Sequence, residues 1–421
     1  MIQTNRALRT FLPALAQTIA RIARRSPSPD LPPEPEAPLE TLVEIPVREV
    51  EAGSDAAQQA RDRGLFLARQ DRWDDLAAEI RAADSARAAA PDGVPLAELL
   101  AYGARCDVVE AVEQALEHGA GAEDPALLSG IMSLEAMRQE HRRDPHVTLV
   151  VALAHIDIAW AWRGTGEEAA LPALNRQRCA AHFDRAARLL EGFDATALDS
   201  PAVASAQCAL LARRPGMAHR LADSHGALVD LDPQNFRAMR ALGAHLLPDH
   251  AALDLEAHRT AARTQHVWGA GGYAWVWFDA IAQDPSACDA VDTDFFIDGL
   301  RDIVDARPEQ EMINLLAAYC AVTLRRDGDA AAPDAPRARI AACAGWLIRD
   351  HLTEVHPLIW AHAAQGFDNN LRVTSPQRFA ALGRADALRA IADQFRDDLD
   401  RGLRITFTPE GPVTGGMTGA L

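Results

Sequence analysis

From about residue 55 to residue 403, apolar positions recur every three or four residues. That spacing gathers them on one face of a helix. Leu96, Leu99 and Leu100, followed by Val108, Val109, Val112 and Leu116, form one such run. Ala, Leu, Arg and Glu are frequent between them, and all four favour helix. Short breaks cut the runs: Pro91-Asp92-Gly93, Gly119 to Gly121, Gly164 to Gly166, Arg214-Pro215-Gly216 and Asp327-Gly328-Asp329. Asp-Pro at Asp124-Pro125, Asp144-Pro145, Asp232-Pro233 and Asp284-Pro285 adds helix-start signals, an Asp cap followed by Pro in the first turn. Helices separated by such short breaks pack as antiparallel hairpins. The pattern predicts an all-α fold of antiparallel helix hairpins stacked as a solenoid over residues 55–403.

The flanking segments read differently. In residues 1–25, Leu8, Phe11, Leu12, Leu15, Ile19 and Ile22 share one helical face and arginines occupy the other, which predicts a basic amphipathic helix. Such a helix suits an anionic membrane surface, a partner's groove or the chain's own acidic body. Residues 26–54 are a Pro-rich acidic linker, expected to be extended. Within it Val43, Ile45 and Val47 alternate with polar residues or Pro46, which fits an edge strand or an arm. Residues 404–421 break the helical pattern and predict an irregular tail, a loose strand followed by disorder.

Charge and composition narrow the function. Net charge is −18. The first 25 residues carry arginines and no acid, so the remainder is more acidic still. A body of that sign repels phosphate backbones, which argues against nucleic acid and for a basic partner. The chain contains no lysine. That excludes side-chain Schiff-base chemistry and the lysine of a P-loop or a kinase fold. The Ala- and Arg-heavy composition fits a bacterial, high-GC source. Cys106, Cys179, Cys208, Cys288, Cys320 and Cys343 are scattered without a C-x-x-C pair and read as buried thiols. No uninterrupted run of about 18 apolar residues occurs. The stretch Phe11 to Ala16 holds Pro13 and makes a poor signal-peptide core. These features point to the cytoplasm.

Three stretches resemble tetratricopeptide helix hairpins. Arg72-Trp73-Asp-Asp-Leu76 and His182-Phe183-Asp-Arg-Ala186 place an aromatic with a small or apolar residue three later. Asp232-Pro233 is followed by Met239-Arg-Ala-Leu242-Gly243-Ala-His-Leu246, which carries the Leu-Gly pair of that family's W-x-x-L-G-x-x-Y motif. Met239 stands where the family has Trp and Leu246 where it has Tyr. Ala159-Trp160-Ala-Trp162-Arg163-Gly164 is also similar to the A-W-x-x-R-G stretch of a bacterial helical family of unknown function. The first resemblance implies a tetratricopeptide-like α-solenoid that presents a concave face to a peptide or helix. Neither implies a catalytic residue, metal or cofactor.

Candidate binding residues come from two clusters. His266, Trp268, Tyr273, Trp275 and Trp277 lie in a segment rich in glycine and aromatics. Gly269-x-Gly271-x-x-Ala274 within it fits a dinucleotide fingerprint formally, but no strand precedes it. The segment reads as a break between helices whose tryptophans pack neighbouring repeats, or as an aromatic groove for a ligand or peptide. Trp160, Trp162 and Arg163 follow His155 and Asp157. On a helix His155 and Asp157 point about 200° apart, so each must pair with a different neighbour. His351 and Glu354, one turn apart if helical, fit neither known zinc spacing. Asp292 as a first calcium ligand would place Ile297 and Ile303 at the Gly and Glu positions of an EF-hand, so Thr293 or Asp294 is expected to cap a helix beginning at Phe295.

The leading expectation is a non-catalytic interaction scaffold that binds a peptide or helix of a partner protein. Two alternatives stand beside it. One is an enzyme or small-molecule binder using residues 266–278 with His155 or His351. The other is a peripheral membrane adaptor held by residues 1–25.

Overall fold

The computed structural model describes residues 39–48, 56–121, 124–164, 171–212, 218–325, 335–367 and 375–416. The expectations for residues 1–25 and for the linker up to residue 38 lie outside these. Helices dominate: α1 Ala56–Arg69, α2 Trp73–Ser85, α3 Leu96–Glu117, α4 Ser129–Glu140, α5 Pro145–Arg163, α6 Ala173–Leu190, α7 Pro201–Leu211, α8 Ala218–Leu231, α9 Phe236–Leu246, α10 His250–Trp268, α11 Gly271–Gln283, α12 Thr293–Ala306, α13 Gln310–Ala321, α14 Pro336–Ala341, α15 Pro357–Ala364, α16 Pro376–Gln394 and α17 Arg396–Asp400. The expected helical class is therefore the observed one.

Alternate helices lie side by side. α1 packs on α3, α3 on α5, α9 on α11 and α13 on α15. The closest approaches are made at glycine. A Cβ on Gly64 would sit 2.0 Å from the Leu100 carbonyl oxygen, and one on Gly103 1.9 Å from that of Arg61. Gly243 of the Leu-Gly pair faces the Val276 carbonyl oxygen, 1.7 Å from where its Cβ would be. Only a missing side chain permits backbones to meet this way. Its partner is α11, the next helix but one, rather than the adjacent α10.

Arg–Asp rungs cross three of these pairs, and two further polar contacts tie α13 to α11 and to the segment before α15. Arg69 grips Asp107 with two 2.7 Å bonds, 38 residues on. Arg240 grips Asp279, 39 residues on, with its shortest bond at 2.7 Å. The Tyr319 hydroxyl donates to the Phe278 carbonyl, 41 residues back, and Asn314 donates to the Glu354 carbonyl, 40 residues on. Between α3 and α5 the rung Arg105–Asp157 spans 52 residues, across a segment that holds both a 3-10 turn, Pro125–Leu127, and α4.

Buried apolar side chains form two main clusters. One runs from Leu67 in α1 to Leu228 and Ala238, and the other from Val229 and Phe236 to Phe407. They meet at α8 and α9, where Leu228 belongs to one and Val229 to the other. Helix α5 is long and apolar enough to cross a membrane by length and composition, with a mean hydropathy of 1.2 over its window. Polar interruptions keep it from being an uninterrupted apolar run. Its residues are mostly buried between α3 and α6, which accounts for its composition as a central core helix.

The two ends of the described chain are joined by a small sheet. Val43–Glu44 pairs in parallel with Leu403–Thr408, which pairs antiparallel with Gly411–Gly416. The irregular tail expected from residue 404 is thus an ordered hairpin as far as residue 416. Ile405 and Phe407 alternate inward and are buried, which gives the hairpin a core face the short sequence pattern had not disclosed. Val47 adds an isolated bridge to Val355, so the arm expected around Val43 is pinned at two places.

Three of the four Asp-Pro pairs start helices. Asp124, Asp144 and Asp284 accept backbone N–H bonds from residues just beyond their prolines. Asp232-Pro233 instead forms a turn, and α9 begins at Phe236 under an Asn235 cap. The Pro233 carbonyl is taken by the Trp268 indole N–H at 2.8 Å. Asp292, not Thr293 or Asp294, caps α12 by accepting from Phe295 N–H.

Replacing Gly243 by Ala should force α9 and α11 apart and lower unfolding free energy by about 2 kcal/mol or more. Gly192→Ala, whose Cβ would meet nothing within 4 Å, should stay within about 0.5 kcal/mol of the parent. Urea denaturation of both variants measures the contrast.

Candidate functional site

The aromatic segment lies inside the fold. Trp268, Tyr273, Trp275 and Trp277 are at most 2% exposed. Trp275 stacks on Phe236 at 4.5 Å, and Trp268 meets the same ring edge-on at 6.2 Å. The Tyr273 hydroxyl donates to Asp254 at 2.7 Å and accepts from Asp292 N–H at 2.9 Å. Gly269, in the left-handed region at φ 55°, ends α10, and α11 begins two residues later. These rings fill the second cluster where α9, α10 and α11 meet, so of the two readings of the segment the packing one describes them, and as candidate binding residues Trp268, Tyr273, Trp275 and Trp277 are corrected to interior ones. His266 is exposed at the end of α10.

The second group divides across one helix. Trp162 is buried in the first cluster, while Trp160 is 46% exposed and packs edge-on against Phe183 at 5.8 Å. Two residues apart on a helix, they must face opposite ways. Arg163 donates to the Gly164 carbonyl at the helix end. His155, His266 and His351 do not gather. His155 is on α5, His266 ends α10, and His351 closes a π-helical turn, Leu347–His351, against Trp346. The chain turns extended at Leu352, so His351 and Glu354 are not one helical turn apart. Glu354 instead pairs with His356 at 2.9 Å.

A buried polar chain forms around His155. Asp157 turns to α3 and pairs with Arg105 at 2.6 Å, while His155 turns to α4 and α6. His155 Nε2 lies 3.1 Å from Glu135 Oε1, and its Nδ1 lies 2.8 Å from Nδ1 of His182. Arg185 holds both Glu135 oxygens, at 2.6 and 2.8 Å, and Arg138 reaches Oε2 at 3.2 Å. Burial opposes the Glu135 charge, but the Arg185 and His155 hydrogen bonds outweigh it and bring its pKa down to about 2. Burial lowers His155, against the opposing pull of Glu135, and lowers His182 to about 4 with His155 adding to the effect.

With both rings neutral, the contact geometry leaves one consistent proton pattern. An ionised Glu135 only accepts, so His155 donates through Nε2–H. Its Nδ1 then accepts from His182 Nδ1–H, and Nε2 of His182 keeps a lone pair. The arrangement is a carboxylate–imidazole–imidazole relay that can orient one ring and pass a proton along it. The sequence offered His182 only within the hairpin resemblance and His155 only beside Asp157. Glu135, Arg138 and Arg185 carried no signal linking them, since three helices supply the group. Among the described residues no cluster of three or more His, Cys, Asp or Glu is arranged to hold a metal.

The relay makes stability pH-dependent. Above pH about 6.5 His182 is neutral folded and unfolded, with no penalty. As pH falls from 6.5 toward 4, the unfolded chain gains a proton that the folded one refuses, so stability drops. Glu135 acts lower: its contribution is present above about 4.5 and is lost as pH falls toward 2. His182→Gln should remove up to one proton's worth of slope between pH 6.5 and 4 in a series of urea titrations. An unchanged slope would show that His182 titrates normally. No family model, curated protein or solved structure matches this chain.

Proposed function

We propose that this chain is a non-catalytic scaffold of tetratricopeptide-like type, binding a peptide or helix of a partner protein. One observation carries the reading: helices two apart in sequence pack side by side, and Arg–Asp pairs bridge three such pairs across 38, 39 and 52 residues. A stack of two-helix units generates such alternate packing, each unit burying its apolar face on the next. The unit is longer than the tetratricopeptide length of about 34 residues, in keeping with the replacement of Trp by Met239 and of Tyr by Leu246. Stacks of this kind work by presenting extended surfaces rather than a single reactive centre.

The charge of −18 gives the partner a sign. An acidic surface draws a basic peptide or helix, and the attraction weakens as salt shortens the screening length. Immobilised full-length protein should retain a partner rich in Lys or Arg at low salt and release it as ionic strength rises. Retention that ignores salt would overturn the electrostatic assignment, and failure to retain any protein would overturn the scaffold reading.

A further inference from the structure

Where the two apolar clusters meet, α3, α7, α8, α9 and α11 enclose a cavity of about 360 Å³. That is at the small end of ligand pockets, about 300–1,000 Å³, which form preferentially at such junctions. Its polar lining is unusual for a helix joint. His225 on α8 is only 2% exposed, and neither ring nitrogen completes a hydrogen bond of normal geometry, although the Ala238 backbone lies near enough to act on it. A buried imidazole without partners is costly, and native structures rarely tolerate one. His245 stands beside it, ring centroids 6.0 Å apart. Desolvation lowers the pKa of both, that of His225 to about 4, and each ring offers a nitrogen that can accept a hydrogen bond; His245, unlike His225, is exposed at the cavity's edge.

Two charges complete the cavity. Glu98 on α3 is half-buried in its wall, where burial raises its carboxyl above the usual range, with Arg237 and then the Ser205 hydroxyl opposing. Arg237 on α9 is exposed and also lines the cavity. It acts on Glu98 from beyond ion-pair distance, and neither residue has an ion-pair partner among the described residues. Arg240 and Asp279 also line the space, but they satisfy one another. The cavity therefore holds one carboxyl whose charge burial resists and which has no direct ion-pair partner, beside imidazole acceptors, and one guanidinium likewise without a direct partner; an ammonium bound at Glu98 would offset that resistance.

We propose that this cavity binds a small zwitterion of amino-acid or dipeptide size, its ammonium on Glu98 and the His225 and His245 rings and its carboxylate on Arg237. A simple amine would leave Arg237 facing a cation, and a simple carboxylate would face Glu98. A guanidinium pairs with a carboxylate through two parallel bonds, and an ammonium donates three. A metal ion does not fit, because the described His, Cys, Asp and Glu residues form no coordinating group of three. The site is independent of the scaffold reading, since it uses the helix joint rather than the outer surface.

The test is a thermal-shift screen of the full-length protein with pooled standard amino acids, then pooled dipeptides, each compound at about 1 mM. The expected result is a raised melting temperature, traced to one compound by splitting the pool. Titration calorimetry with that compound should then show about tenfold or greater weakening in Glu98→Gln and in Arg237→Ala. Its N-acetylated and its carboxyl-amidated derivatives should each lose binding. Arg237 is exposed, so its variant folds and keeps the comparison valid if Glu98→Gln does not. Silence from both pools would overturn the proposal. So would a bound compound indifferent to both substitutions. Equal binding of the corresponding simple amine would make the cavity a cation site and refute the zwitterion.

Discussion

Backbone contact between alternate helices is the constraint on which this fold rests. At α1–α3 and at α9–α11 the helices approach so closely that a single methyl group at Gly64, Gly103 or Gly243 would overlap a carbonyl oxygen. Close approach lets side chains interdigitate at interior density, and that dispersion is lost steeply with separation. The Arg–Asp rungs then fix the register. Their energetic weights differ: Arg69–Asp107 lies open to solvent, while Arg240–Asp279 is largely shielded, so losing one member there strands a charge. Register and approach together bury the apolar faces that no single hairpin could bury alone.

The junction of the two clusters is one place where this packing is incomplete. α8 and α9 divide their apolar side chains between the clusters, and the space left between them is lined by polar and titratable groups rather than filled by leucine. The contrast with the aromatic segment is informative. There Trp268, Trp275 and Phe236 interlock and close the interior. At the junction, the His225 ring is buried and neither nitrogen completes a hydrogen bond of normal geometry. A fold optimised only for stability would place an apolar residue at such a position, so the retained polarity points outward from folding toward binding.

The relay on α4, α5 and α6 is the opposite case, a polar group fully answered from within. Arg185 and Arg138 hold Glu135, Glu135 holds His155, and His155 holds His182. Glu135 and His155 are each satisfied by their neighbours, so the network ties α4 and α6 to α5. The chain has no lysine, and the guanidinium provides every such clamp. Its planar fork grips both oxygens of a carboxylate at once, as Arg185 does here, which an ammonium cannot do.

The sequence by itself determined the helical class, the start of α5 and of two 3-10 turns at Asp-Pro pairs, and the division of His155 from Asp157. These follow from local rules: apolar spacing, capping and the rotation of successive residues around a helix. It also marked Gly243 as a point of close approach, though not the helix it would meet. Tertiary structure alone decided that the partner is α11 and not α10, because the choice depends on faces buried in concert. It alone turned the tail into a hairpin against Val43, some 360 residues away, for strand pairing is specified by a partner rather than by the strand. It alone gathered Glu135 with His182, and Glu98 with His225 and Arg237. Each group draws on three or more helices, and no local spacing relates side chains that only packing brings together.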